Sequence, residues 1–151
     1  MKDIGEEIVQ PHFTSEYQKL LINLLYTHNQ LVDKLSLSLK DYDITRQQIN
    51  VLRILRGQHP KPAAMTLIKE RMLDKMSDTS RLVERLRLKN LVQRSTNTHD
   101  RRAVEIRITE EGLKLLKETD PIIHEFEKHL HNLNGEEAKQ LNFLLNKLRS
   151  A

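Results

Sequence analysis

The stretch Met76–Asn90, MSDTSRLVERLRLKN, decides the fold of this chain. At 100° per residue its apolar side chains fall on one face of a helix, and Ser80, Arg81 and Arg85 fall around the other face. Asn90 tolerates the left-handed backbone conformation in which helices commonly end. The pattern predicts a short amphipathic helix with an exposed basic face.

The residues after this helix predict a β-hairpin. Leu91–Arg94 and Ala103–Ile108 alternate apolar and polar side chains, which is typical of short strands with one buried face. Between them, Ser95–Arg102 is polar and basic and reads as the hairpin tip. The hairpin is therefore expected to form a basic wing.

Two further helices are expected before Met76. Thr45 and Gln48 have the spacing of a capping box, and they open a helix with a regular apolar face. Gly57–Pro62 interrupts it, since proline lacks a backbone donor and restricts the residue before it. A short helix from about Ala63 to Met72 follows, with a break at Leu73–Lys75.

Long helices are predicted on both sides of this central region. Apolar residues at helical spacing, with His28 among them, indicate one helix from Thr14 to about Leu39. Thr109 is placed to cap another helix, which Pro121 is expected to bend rather than end. A last helix begins near Asn134 and carries a single leucine stripe.

Composition and charge narrow the function classes. The chain has 151 residues, the size of one domain, and no cysteine, which excludes disulfides and thiol chemistry. The net charge of +4 is uneven: Arg46–Arg107 holds 15 Lys and Arg against 6 Asp and Glu, or +9, and the flanks hold 10 against 15, or -5. An acidic start and no long apolar run favour a cytoplasmic protein without a membrane partner. A basic centre suits a polyanion-binding module.

The order of elements predicts a mostly α-helical fold with a small β-hairpin wing. Residues 42–108 form a winged helix-turn-helix, and residues 14–40 and 109–150 form flanking helices that hold a dimer, all within one domain. The first long helix has more apolar face than a small winged module can cover, which favours a second copy of the chain. The alternative is that the first and last helices pair within one chain.

Double-stranded DNA is the partner that fits this fold. The exposed helix is expected to enter the major groove, where Arg81 can give two hydrogen bonds to guanine and Glu84 can accept from cytosine or be neutralised by Arg81 or Arg85. At the wing tip Arg101 and Arg102 can reach a minor groove or its phosphates, with Asp100 orienting one guanidinium by a salt bridge. The full set of expected DNA-binding residues is Ser77, Asp78, Ser80, Arg81, Arg85, Arg94, Arg101 and Arg102.

At these residues the chain resembles the MarR family of bacterial transcription regulators, in order along nearly its whole length. The similarity runs through Ile44-Thr45-x-x-Gln48-x-x-Val51-Leu52, Ser80-Arg81-Leu82-Val83-x-Arg85-Leu86, Leu91-Val92-x-Arg94, Asp100-Arg101-Arg102 and Ile108-Thr109-x-x-Gly112. Asn90 stands where the family usually has glycine. The resemblance implies a homodimeric regulator, a repressor on a pseudo-palindromic operator, which is released by a small aromatic or phenolic ligand.

Three alternatives accompany this interpretation. A zinc-responsive regulator would use the mixed cluster His124, Glu125, Glu127, His129 and His131, but the cluster offers no clear third ligand on one face. His28 either lines an effector pocket or is a hydrogen-bonded core residue. A winged module that binds protein would show exposed apolar side chains at its wing tip. No phosphate-binding loop, nucleophile elbow or metal motif indicates an enzyme, and no cofactor is expected.

Overall fold

A computed structural model describes residues 2–96 and 104–150 of the chain. The chain divides into two compact units, Met1–Arg46 and Gln47–Ala151. Its winged helix-turn-helix architecture, mostly helical with a small antiparallel sheet, is the predicted one. Among the described residues, no helix combines the length and the apolar character needed to cross a bilayer.

The first unit is built on one long helix. A single turn, α1 (Ile4–Glu7), precedes α2 (Glu16–Ser38), and the Ser15 hydroxyl caps α2 by accepting from the backbone N–H of Gln18 at 3.1 Å. The predicted span of 14–39 is therefore confirmed to within two residues at its start and one at its end. No residue of α2 is buried, so its apolar stripe is at least partly exposed to solvent in the single chain. His28 is exposed as well, and its interpretation as a core residue is wrong.

The second unit contains the winged module. Its helices are α3 (Arg46–Gln58), α4 (Met65–Arg71) and α5 (Thr79–Leu88). Its strands are β1 (Ala63–Ala64), β2 (Val92–Thr96) and β3 (Val104–Ile108), in the order β1-β3-β2. Both pairings with β3 are antiparallel.

Ala63 and Ala64 correct one sequence prediction, because they were expected to start a helix. They instead pair with Ile106 and Glu105 of β3. Alanine favours helices when isolated, but the edge of β3 supplies hydrogen-bond partners here and the side chain of Ala63 is buried. Helix α4 begins one residue after this short strand.

The core of the module is apolar and contributed by every helix of the predicted motif. Fully buried side chains come from α3, α4, α5, β3 and the following helix: Val51, Leu52, Leu55, Ile68, Val83, Leu86, Ile106 and Leu116. The buried positions on α3 and α5 follow the predicted helical spacing. Burying a side chain of this size contributes about 1.5 to 3 kcal/mol.

A compact junction joins the end of α5 to the base of the wing and to α6 (Glu110–Lys128). Asn90 takes the left-handed conformation with φ of 58°, as predicted, and its carbonyl accepts from the Thr109 hydroxyl at 2.7 Å. The Leu91 carbonyl accepts from the Thr109 N–H at 3.1 Å. Thr109 also caps α6 by accepting from Gly112 N–H at 3.0 Å. These bonds fix the relative orientation of α5, the base of the wing and α6 at the junction.

The C-terminal helices follow the sequence prediction. Helix α6 continues through Pro121, and α7 (Gly135–Arg149) is opened by a capping box between Asn134 and Glu137. Arg56 of α3 donates to both carboxylate oxygens of Asp120 at 2.6 and 3.1 Å. These bonds hold the pKa of Asp120 below its usual value. They fasten α6 to the first helix of the winged module. No residue of α7 is buried.

Replacing Gly112 with alanine tests the junction. A methyl group there would lie 2.3 Å from the Leu91 carbonyl oxygen and 2.7 Å from Cγ1 of Ile108. Because the oxygen belongs to the backbone, relief requires the junction to shift, and we expect Gly112→Ala to lower the free energy of unfolding by about 1 to 3 kcal/mol in urea titrations. Gly57→Ala, within α3 and in open space, is the control and should be neutral or stabilising by up to about 1 kcal/mol. Equal stability of the two variants would contradict this account.

Candidate nucleic-acid interface

The N-terminal end of α5 is held in place by a short hydrogen-bonded turn. The carboxylate of Asp74 accepts from the N–H of Met76 at 3.1 Å, and its carbonyl accepts from the N–H of Ser77 at 3.2 Å. Asp78 is the helix cap, and its carboxylate accepts from the N–H of Arg81 at 3.0 Å. At the other end of the turn, the Leu73 N–H donates to the Asn50 side chain of α3 at 2.9 Å. The turn is longer than the predicted break at Leu73–Lys75.

An open depression lies beside this end of α5. We call it the α5 depression, and its lining residues are Gln47, Asp74, Ser77, Asp78, Arg81, Leu82 and Arg85. Four of them, Ser77, Asp78, Arg81 and Arg85, were expected at a DNA-binding surface. Ser80 is exposed on α5 without lining the depression. The fold thus brings together side chains from one exposed helix face and from the turn before it.

Gln47 and Asp74 are candidate site residues that the sequence analysis missed. Gln47 lies one position before Gln48, which the sequence predicts to be a capping residue, and Asp74 lies in the segment that was treated only as a break. The signal for Gln47 was its place in the first turn of the predicted helix that precedes the helix-turn-helix. Asp74 carried no such signal, because its role in shaping the turn depends on the backbone around it.

Two cationic groups of the α5 depression are available to a ligand. Among the described residues, the guanidinium groups of Arg81 and Arg85 have no ion pair or hydrogen bond. The Ser77 hydroxyl oxygen is shielded from solvent and has no hydrogen-bond partner in the part of the chain that the structure describes. Unpaired cations on an exposed helix face attract phosphates and guanine edges.

Glu84 is neutralised by a residue that sequence reasoning did not consider. Arg81 and Arg85 were its expected partners, but Arg87, three residues further on, donates to its carboxylate at 2.7 and 2.9 Å. The bonds from Arg87 lower the pKa of Glu84, with a smaller contribution from the positive charge of Arg94. The expected pairing is therefore wrong, and its correction leaves Arg81 and Arg85 uncompensated.

The wing contributes one described candidate. Arg94 lies exposed on β2. Asp100, Arg101 and Arg102, predicted at the wing tip, lie outside the described residues.

The histidine-rich segment of α6 and the turn after it does not assemble a metal site among residues 2–96 and 104–150. Glu125 is bound by Lys128 at 2.7 Å, and His124 faces Glu127 at 3.6 Å. The bonds from Lys128 lower the pKa of Glu125. These pairs lie on solvent-exposed surface, consistent with ordinary polar positions on a helix.

The fold and this basic surface define a winged helix-turn-helix protein. Among solved structures, the chain is similar to a MarR transcription factor from Planctomyces limnophilus, with 30% identity over 93% of this chain and 100% of that one and a TM-score of 0.69. It is also similar to MepR of S. aureus in a DNA complex (26% identity, 92% and 98% covered, TM-score 0.78). A mutant MarR of E. coli complexed with operator DNA is 25% identical, with 97% and 99% covered and a TM-score of 0.73.

No protein-family model matches the chain, and neither does any curated protein sequence. The similarity to the Planctomyces protein nevertheless extends over 93% of this chain and the whole of that one at 30% identity. The chain belongs to the MarR family of winged helix-turn-helix transcription regulators. The resemblance drawn from its motifs is confirmed.

Substitution of Asp78 tests how the turn orients α5. Asp78→Ala removes the acceptor for the Arg81 N–H, and we expect a loss of about 1 kcal/mol in the free energy of unfolding at neutral pH. Asp78→Asn keeps a side-chain oxygen in the same place and should lose less than half as much, as judged by urea denaturation followed by circular dichroism. The capping role is refuted if the asparagine variant is as unstable as the alanine variant.

Proposed function

We propose that the chain is a sequence-specific DNA-binding transcription repressor that acts in the cytoplasm as a homodimer, without enzymatic activity. The observation that carries the proposal is the α5 depression, in which the guanidinium groups of Arg81 and Arg85 have no partner among residues 2–96 and 104–150, beside the N-terminal end of an exposed helix. This is the end of the recognition helix that approaches base edges in helix-turn-helix proteins. Two solved relatives, MepR and the E. coli MarR, are complexes with DNA, which supports the same partner here.

Each polar residue of the depression has a role that its chemistry supports. Arg81 gives two hydrogen bonds to O6 and N7 of a guanine in the major groove. Arg85, one turn further along α5, binds a phosphate or a second base. The Ser77 hydroxyl has no partner among the described residues and is shielded from solvent, so it reaches a phosphate oxygen through a rotation about χ1.

The wing extends the contact beyond the major groove. Arg94 binds a backbone phosphate, and Arg101 and Arg102 reach the adjacent minor groove or its phosphates, with Asp100 orienting one of them. The Glu84–Arg87 pair supports this arrangement because it neutralises the acid of α5 that would otherwise repel phosphates. Residues 42–108 are the DNA-binding part in this proposal.

Homodimerisation is supported by apolar side chains that the single chain leaves exposed. Neither α2 nor α7 has a buried residue, although both carry apolar stripes. The exposed apolar residues on or next to these helices are Tyr17, Leu20, Leu21, Leu25, Leu37, Leu130, Leu133, Leu141, Phe143, Leu144 and Leu148. Their burial by a second copy would remove them from water and would present two recognition helices to a pseudo-palindromic operator. Residues 14–40 and 109–150 are the dimerisation part.

Repression follows from occupation of a promoter by such a dimer. We include in the proposal a small aromatic or phenolic ligand whose binding releases the protein from DNA, because the family resemblance implies one. The location of an effector site at His28 remains a prediction. An exposed imidazole on α2 would line such a site only where further side chains enclose it.

Selection of duplexes from a random library tests DNA recognition, and Arg81 is the residue to replace. We expect enrichment of a pseudo-palindromic sequence, and Arg81→Ala should weaken its binding by about 1 to 3 kcal/mol, or roughly 5- to 150-fold, while random duplex is less affected. Lys117→Ala, an exposed cation of α6, is the charge-matched control and should bind normally. Enrichment of no sequence over random duplex would overturn the proposed function.

Sedimentation equilibrium tests the dimer. We expect the 17.8 kDa chain to sediment at twice its mass at micromolar concentration. Leu144→Asp, on the half-exposed leucine face of α7, should shift it toward the monomer, because a buried carboxylate is costly. Leu88→Asp, which replaces a more exposed leucine at the end of α5, should leave the mass unchanged. A folded wild-type monomer at this concentration would refute homodimerisation.

A further inference from the structure

Four exposed large apolar side chains, Val9, Leu73, Met76 and Leu88, lie outside the helices of the proposed dimer, and Met76 is the most exposed of them. Most large apolar side chains that the single chain exposes lie on α2, on α7 or in the turn before α7. Met76 does not: it lies in the turn between α4 and α5, and it is 93% exposed. A methionine held in water at this position has no role in the core or in the proposed helix-to-helix interface.

The turn holds Met76 in a defined position. Its N–H is bound by the Asp74 carboxylate at 3.1 Å, and the next N–H, of Ser77, is bound by the Asp74 carbonyl at 3.2 Å. The Lys75 ammonium donates to the Glu70 carbonyl on the preceding helix. Because the residues on both sides are tied, the backbone at Met76 is positioned before any ligand arrives.

The surroundings of Met76 indicate what it contacts. Its neighbours Asp74 and Ser77 line the α5 depression together with Arg81, so the methionine adjoins the surface proposed to meet the major groove. The edges of base pairs in that groove carry hydrogen-bonding groups and one apolar group, the 5-methyl of thymine. The unbranched thioether side chain of methionine adapts its shape to such a contact.

We propose that Met76 packs against the 5-methyl group of a thymine that neighbours the base pair read by Arg81. This inference rests on the proposed function and extends it, because it adds an apolar readout to the charged one. A sequence preference at that position then comes from exclusion of water between two apolar groups. It is independent of salt, unlike the contacts made by Arg81 and Arg85.

Deoxyuracil substitution tests the contact, since deoxyuracil pairs as thymine does but lacks the methyl group. In the duplex enriched by selection, each thymine is replaced in turn, symmetrically in both half-sites. For the wild-type protein we expect one position at which replacement weakens binding about fourfold per half-site, the equivalent of about 0.8 kcal/mol for one buried methyl group. Replacement at the other thymines should change affinity less than twofold.

Three variants test whether the Met76 side chain causes the sensitivity to deoxyuracil. Met76→Ala should bind the thymine and deoxyuracil duplexes with nearly equal affinity, and Met76→Leu should restore the difference. Leu88→Ala, an exposed apolar residue at the opposite end of α5, should retain it in full. Thermal unfolding of Met76→Ala should match the wild type, because the side chain buries almost no surface in the single chain.

The outcomes separate this inference from the function on which it rests. If a sequence is enriched and bound but Met76→Ala keeps the wild-type sensitivity to deoxyuracil, the thymine contact is wrong and DNA recognition stands. The same holds if Met76→Ala weakens binding to both duplexes by the same factor, which would indicate that the side chain contacts the sugar-phosphate backbone of the DNA. Enrichment of no sequence at all overturns both.

Discussion

The contact between the backbone of Leu91 and the start of α6 is the constraint on which the rest of the winged module depends. The Leu91 carbonyl accepts from Thr109, and Gly112 lies so close to it that a side chain does not fit. Asn90 supplies the left-handed turn that brings Leu91 into this place. Helix α5, the base of the wing and α6 therefore start from one junction with fixed relative orientations. Backbone contacts at that junction set the spacing between α5 and the wing.

Charge on the recognition helix is distributed by this same geometry. The helix carries three arginines and one acid, and that acid, Glu84, is paired with Arg87. Arg81 and Arg85 remain, next to a turn whose own carboxylates, Asp74 and Asp78, are engaged by backbone N–H groups. The lining of the α5 depression thus holds two arginines and two aspartates, and it is the guanidinium groups that have no ion pair or hydrogen bond among the described residues.

The features that could be predicted from the sequence depend on residues close together in the chain, and those that could not depend on contacts between distant residues or on side-chain geometry. Helix α2 and the capping box of Asn134 were predictable because their signals lie within a few residues. Strand β1 was not, since Ala63 becomes a strand only when β3, more than forty residues later, supplies its partner. The partner of Glu84 was missed because Arg81 and Arg85 are at least as near to it in sequence as Arg87, and only side-chain geometry selects Arg87. Gln47 and Asp74 enter the α5 depression for a similar reason, as members of two separate elements.

The sequence by itself determined the class of fold, the order of its elements and the basic character of its centre, because periodicity, capping residues and charge are local properties of the chain. Its motifs also determined the family. Only the tertiary structure decided which cations stand unpaired, how the turn before α5 displays Met76, and that the stripes of α2 and α7 remain uncovered in the single chain. These properties depend on distances between residues far apart in sequence, which no local pattern specifies.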